Sequence, residues 1–180
     1  MKGLSILVFA LNEEKKILST LKLINSNIKK VKIKSEIIVI NDGSTDQTIN
    51  IINNYKKNNK RIKVLDFKKN KGITRSLREG IRIAKYNKLT WFPGDNSFLS
   101  KNLKEFFELS KTNDLVNGYR NNKFLFNNVR KGLTVVNQFI LSILFKQKIK
   151  DVHGLFIFNT SHLKKLKFYC TRYSIMVEIL

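Results

Sequence analysis

Asp95 lies in "LTWFPGDNSFL" (residues 89–99), where an apolar run breaks at the chain's only proline, Pro93, and turns through Gly94, Asp95 and Asn96. A carboxylate placed there can ligate a hard divalent cation, or it can simply satisfy the N–H groups of a Pro-Gly turn. Asp42 has a related setting in "EIIVINDGSTD", directly after a run that reads as a strand. Gly43 permits a turn with positive φ, and Ser44 is placed to cap a following helix, so Asp42 would be held rigidly at the sheet edge. It could accept two N–H or O–H donors of the kind a nucleobase or ribose edge offers, although Asp-Gly turns also form with no ligand. No G-x-G-x-x-G and no G-x-x-x-x-G-K-[ST] occurs, which excludes the dinucleotide fingerprint and the P-loop. Phosphates bound here would call for Mg²⁺ or Mn²⁺ on one or two carboxylates, and Asp95 is the candidate ligand.

These residues need elements to position them, and the chain supplies alternating strands and helices. "SILVFAL" (5–11) reads as a strand covered on both faces and ends at Asn12-Glu13. In "NEEKKILSTLKLINSNI", Ile17, Leu21, Ile24 and Ile28 recur at helical spacing, with Glu13 and Glu14 expected at the positive end of that helix. "EIIVI" (36–40) is a second strand, and Ser44 and Gln47 have capping-box spacing for a helix through "INIINNYKK". "IKVLDF" (62–67), a helix in "TRSLREGIRIAKYN" with Leu77, Ile81 and Ala84 on one side, and "KLTWF" (88–92) complete the series. The expected fold is an α/β sandwich around a central, mostly parallel sheet flanked by helices. In such sheets ligands bind beyond the carboxyl ends of the strands, so Asn12-Glu13, Asp42 and Asp95-Asn96 should share one crevice. Later segments read as a helix in "KNLKEFFELS" and a short strand in "DLVNG". Trp91, Phe106 and Phe107 are expected in the core.

The 180 residues suit a single domain with 42% apolar content. One cysteine, Cys170, excludes an intrachain disulfide and a Cys-rich zinc site, which suits a cytoplasmic, reducing setting. His153 and His162 are too few and too far apart for a metal cluster. The N-terminal apolar run is read as a first strand, because acidic residues stand where a leader would need a cleavage site. A formal charge of +22 invites a nucleic-acid reading, yet the cations are scattered between elements and lack interleaved aromatics, so no specific nucleic acid is expected. Attraction toward phosphorylated substrates or anionic headgroups fits the charge better. The apolar stretch "VRKGLTVVNQFILSILFKQKIK" (129–150) is too interrupted to span a bilayer; it reads as a core helix or as an amphipathic helix lying peripherally on the cytoplasmic membrane face.

Six blocks in order, "SILVFALNEEKKI", "EIIVINDGSTDQT", "NKGITRSLREGIRIAK", "LTWFPGDNSFL", "DLVNGYR" and "DVHGLFIFN", resemble the family 2 glycosyltransferases. The closest similarity is to the polyprenyl-phosphate (dolichyl-phosphate-like) mannosyl- and glucosyltransferase branch. The resemblance runs from Leu4 onward and implies a GT-A fold and transfer of a sugar from a UDP- or GDP-linked donor. It implies donor contacts from Asn12, Glu13, Asp42, Lys71 and Gly72, metal binding by Asp95, and phosphate or acceptor contacts from Arg120 and Arg130. Pro93 occupies the first position of the family's D-x-D, so one aspartate is expected to hold the metal with help from Asn96 or Ser97. The acceptor is expected to be a lipid phosphate or a cell-envelope glycan. Asp151 is the candidate base if a hydroxyl is the acceptor, since an ionised phosphate needs none. The chain is expected to be one catalytic domain, 1–180, without the family's usual C-terminal elements. A catalytically weak nucleotide-sugar-binding module is the competing expectation.

Overall fold

The structure, a computed structural model, describes residues 1–97, 102–118, 154–168 and Ile179. The elements run β1 (Leu4–Ala10), α1 (Ile17–Val31), β2 (Ser35–Asp42), α2 (Thr48–Lys57), β3 (Ile62–Phe67), α3 (Ile73–Ile83), β4 (Lys88–Pro93), α4 (Leu103–Leu109), β5 (Val116–Gly118), β6 (Leu155–Asn159) and α5 (Thr160–Lys165). They build a six-stranded sheet in the order β3-β2-β1-β4-β6-β5. β1 to β4 are mutually parallel, and β6 runs antiparallel to both β4 and β5.

Alternation along the strands sends side chains to two cores. Ile6, Val8, Ile37, Val39 and Phe92 pack with Leu21, Ile24 and Ile28 of α1 and with Phe106 and Phe107 of α4. Leu7, Ile38, Ile40 and Leu89 face the other way, against Leu77 and Ile81 of α3 and Leu163 of α5. Covering the sheet on both faces is why β1 and β2 are almost continuously apolar. Trp91 is only half-buried and stacks on Phe158 with ring centroids 5.5 Å apart.

Successive strands are added in one direction from β1 to β3, and β4 is then inserted on the other side of β1. The switch point therefore falls between β1 and β4, the two strands whose ends lead into Glu13 and Asp95. Pairing of Phe9 with Pro93 and of Ala10 with Asn41 shows that β1, β2 and β4 end at one level. Pro93 fits because β6 pairs only with Lys88 and Leu89, which leaves the end of β4 an edge where a missing N–H is tolerated.

Two helix starts differ from the sequence expectation. α1 begins at Ile17 with no acidic residue in its first turn, so Glu13 and Glu14 precede the helix instead of opening it. Asn12 is left-handed (φ 55°), which a helix cannot continue, and the turn after it is tied to the neighbouring loop. α2 begins at Thr48 without a side-chain cap, and the expected Ser44–Gln47 capping box does not form because Ser44 bonds elsewhere. Among the described residues no helix is long and apolar enough to cross a membrane. The 129–150 segment lies outside the described residues.

Candidate functional site

The loop after β1 is laced to the loop after β2. The Asn12 N–H donates to Ser44 Oγ at 2.9 Å, and Asn12 Oδ1 accepts the Thr45 N–H at 2.9 Å. The Glu13 N–H donates to Thr48 Oγ1 at 2.8 Å, the Glu14 N–H to Asp46 at 3.1 Å, and the Gln47 N–H to Glu14 at 3.0 Å. Ser44 is thus spent as a clamp between loops, with its hydroxyl also on Asn41 Oδ1. Slight burial opposes ionisation of Asp46, but hydrogen bonds from the Thr48 hydroxyl, the Thr48 N–H and the Glu14 N–H outweigh it and hold its pKa below the ordinary carboxylate range.

Asp42 sits only 7% exposed and accepts the N–H groups of Lys71 (2.8 Å) and Gly72 (3.0 Å), one on each oxygen. The two donors foreseen for it are therefore backbone amides of the "NKG" turn, and its direct structural task is to hold that turn against β2. Gly43 (φ 81°) completes the joint, because a Cβ there would stand 2.5 Å from the Asn70 nitrogen and 2.6 Å from the Lys69 carbonyl carbon. Lys71 lays its ammonium over the Phe67 ring, 4.5 Å from the centroid.

The turn after β4 is fixed from beneath. The Gly94 N–H donates to the Phe9 carbonyl at 2.7 Å, and the Thr20 hydroxyl donates to the Gly94 carbonyl at 2.7 Å. A Cβ on Gly94 would approach Phe9 O to 2.8 Å, so the turn can lie against β1 only without a side chain. Asn96 is left-handed (φ 64°) and turns its amide to α1, its Nδ2 donating to Ser19 Oγ at 2.6 Å and its Oδ1 lying 2.8 Å from the Thr20 hydroxyl. It clamps the turn to α1 rather than standing ready beside Asp95. Asp95 takes the Ser97 N–H on Oδ1 at 2.9 Å, and among the described residues nothing bonds its Oδ2.

Glu13 and Asp95 follow the two strands that flank the switch point, and their carboxylates are near enough to act on each other electrostatically. Burial first, and then the neighbouring Asp95 carboxylate, push the Glu13 pKa above its ordinary value; Lys16 acts against this and Asp46 with it. Two carboxylates that repel each other in a crevice fit a hard cation, whose charge relieves that repulsion. Among the described residues no three His, Cys, Asp or Glu side chains group to hold a metal by themselves. Arg120, Arg130, Asp151 and His153 lie outside the described residues. Thr20, Asn41, Ser44 and Thr48 hold the site together; of these, only Ser44 stood out in the sequence, and in another role.

The sequence model described as glycosyl transferase family 2 matches residues 5–166. The chain belongs to that family. Within family 2 it is similar to the poly-beta-1,6-N-acetyl-D-glucosamine synthase of Staphylococcus aureus (strain COL), at 40% identity over 88 residues, 48% of this chain and 20% of the relative. It therefore spans about a fifth of the length of that relative. Glucosyl-3-phosphoglycerate synthase from Mycobacterium tuberculosis, solved with UDP, superposes on 99% of this chain and 64% of its own with a TM-score of 0.73 at 16% identity. S. aureus TarS 1–349, solved with UDP-GlcNAc, covers 91% of this chain and 47% of its own with a TM-score of 0.56 at 23% identity. At such identities these structures establish the fold, a family 2 GT-A sandwich.

Proposed function

We propose that the chain transfers a sugar from a UDP-linked donor to an acceptor. The observation that carries this reading is the Glu13–Asp95 carboxylate pair at the switch point, flanked by the two laced loops. UDP is favoured over GDP because the M. tuberculosis enzyme was solved with UDP, TarS with UDP-GlcNAc, and the staphylococcal relative is named for an N-acetylglucosamine polymer. Asn12, Glu13, Asp42, Lys71 and Gly72 form the donor pocket. Asp42 acts in it through the 71–72 turn it holds, whose Lys71 supplies a cation beside the crevice.

The residues present fit Mg²⁺ or Mn²⁺, and one structure of the M. tuberculosis enzyme carries Mn²⁺ with UDP. Asp95 would hold the ion through Oδ2, with Glu13 close enough to share its charge. When bound, such an ion stabilises the negative charge that grows on the departing diphosphate. Gly94 brings the backbone close to β1, and Asn96 keeps the Asp95 turn from swinging away. Arg120 and Arg130 are the proposed phosphate or acceptor contacts.

Two acceptor chemistries are compatible with this site. A glycan hydroxyl, the kind the polymer-synthase relative suggests, needs a base, for which Asp151 is the candidate. A polyprenyl phosphate needs none and would accord with a net charge of +22 and peripheral attachment at the cytoplasmic membrane face. The whole of 1–180 is proposed to act as one catalytic domain.

UDP release from UDP-GlcNAc and UDP-glucose with Mn²⁺, with and without each acceptor, tests the reading. It should fall at least about tenfold in Asp95→Ala, in line with loss of one group stabilising developing charge. Turnover unchanged in that variant removes Asp95 from the reaction. Melting shifts with UDP-sugar but no turnover with any acceptor would instead make the chain a nucleotide-sugar-binding module.

A further inference from the structure

At the opposite end of the sheet, where the strands begin, a cleft of about 470 Å³ opens between the end of α1, the α2–β3 turn and the α3–β4 turn. Its walls carry Lys29, Lys60, Arg61, Lys63 and Lys85, and Glu36 is the one acid among its lining residues. Seven residue steps along β2 separate Ser35 from Asp42, roughly 23 Å at strand rise, so this cleft is distinct from the donor crevice.

Glu36 does not cancel the positive charge. Its carboxylate is only 4% exposed and is engaged from inside the fold: the Ser5 hydroxyl donates to Oε1 at 2.7 Å and the Lys85 N–H at 2.6 Å, while Lys63 Nζ pairs with Oε2 at 2.8 Å. Among the described residues, Lys29, Lys60 and Arg61 have no acidic partner. Below them Ser35, a lining residue of the cleft, is 8% exposed, and among the described residues its buried hydroxyl has no hydrogen-bond partner. A buried hydroxyl left unsatisfied is costly, and an oxygen-rich ligand in the cleft would remove that cost. Tyr86 closes one wall with Lys85 over its ring, 5.5 Å from the centroid.

We propose that this cleft is a second binding site, for a small soluble anion carrying one or two phosphoryl groups. Its volume falls in the range of small-ligand sites, a guanidinium pairs with phosphoryl oxygens in two-point fashion, and the lysines add point charges around them. Ser35 supplies the neutral donor at the floor, which a merely charged surface would lack.

Calorimetric titration of the full chain with inorganic pyrophosphate, in low-salt buffer with EDTA, tests this. Saturable one-to-one binding is expected. The exposed-residue variant K60Q/R61Q/K85Q should weaken it by about tenfold or more, Ser35→Ala by several-fold, and the equally charged control K104Q/K165Q/K167Q by less than about twofold. Asp95→Ala should bind as the parent does, which separates this site from the donor crevice. Equal losses in the cleft and control triples would show general charge attraction and overturn the proposal, as would binding that depends on Asp95. Displacement of pyrophosphate by phosphatidylglycerol vesicles would assign the phosphoryl group to a lipid headgroup and overturn the soluble ligand. Circular dichroism melts of each variant confirm that the binding losses come from folded protein.

Discussion

Asp95 and Asn96 are adjacent in sequence and opposite in task. Asp95 takes the Ser97 N–H within its own turn and is the proposed metal ligand, while Asn96 is turned back onto Ser19 and Thr20 of α1. Asn96→Ala should therefore act on geometry: it loosens the turn, lowers kcat several-fold and leaves the identity of the activating metal unchanged, whereas Asp95→Ala abolishes metal activation. Titrating Mn²⁺ against UDP release in both variants separates the two roles, and an identical metal profile for both would refute the distinction. Glu13 makes a second prediction at this scale. It is partly desolvated and repelled by Asp95, so its charge destabilises the unliganded chain. Glu13→Gln should raise the unliganded melting temperature and shrink the further rise caused by UDP-sugar with Mn²⁺. A lower melting temperature without ligand would show that the carboxylate stabilises the loop instead.

Loops, rather than helices or strands, are the elements that make this site. Gly43 and Gly72 both have positive φ, but only Gly43 has backbone against the place where a Cβ would go. Gly43→Ala should cost about 1–3 kcal/mol from strain, push the 69–72 turn off Asp42 and weaken donor binding. Gly72→Ala should bear the conformational cost alone and lose less stability in urea unfolding; equal losses would mean that the Gly43 contact relaxes freely. The strands and helices behind these loops were legible in the sequence. Ile17, Leu21, Ile24 and Ile28 repeat at helical spacing and all four are buried, and the apolar runs of β1 and β2 lie between two helical layers. The clustering of Asn12-Glu13, Asp42 and Asp95 at one sheet edge followed from strand polarity. What could not be read was which loop binds which, because periodicity describes contacts within an element. Ser44 has the spacing of a helix cap, and only the proximity of Asn12 diverts it. Asp42 has the look of a ligand contact, and only the return of the chain at Lys71 and Gly72 supplies its partners.

The whole molecule divides its labour between the two ends of one sheet. At the carboxyl ends Glu13 and Asp95 repel each other, while the amino ends are stitched together around Glu36. That carboxylate joins β1 through Ser5, β3 through Lys63 and the α3–β4 turn through the Lys85 N–H. Burial opposes its ionisation, but the hydrogen bonds from Lys63, Ser5 and the Lys85 N–H outweigh that and lower its pKa from the ordinary carboxylate value. A carboxyl with a depressed folded pKa stabilises the fold above its unfolded pKa, near 4.3, and that contribution is lost as pH falls through the folded value. Glu36→Gln should then be less stable than the parent at neutral pH by about 1–3 kcal/mol, the scale of a buried hydrogen-bonded group left without its best partner. For a chain of this length that lowers the melting temperature by roughly 2–4 °C per kcal/mol. As pH falls below the unfolded value and on through the depressed folded one, the parent's own Glu36 takes up a proton and the two should converge. Urea unfolding of both proteins across this range measures the gap directly; a gap that stays constant with pH would mean that shape, and not charge, is what Glu36 contributes at the foot of the sheet.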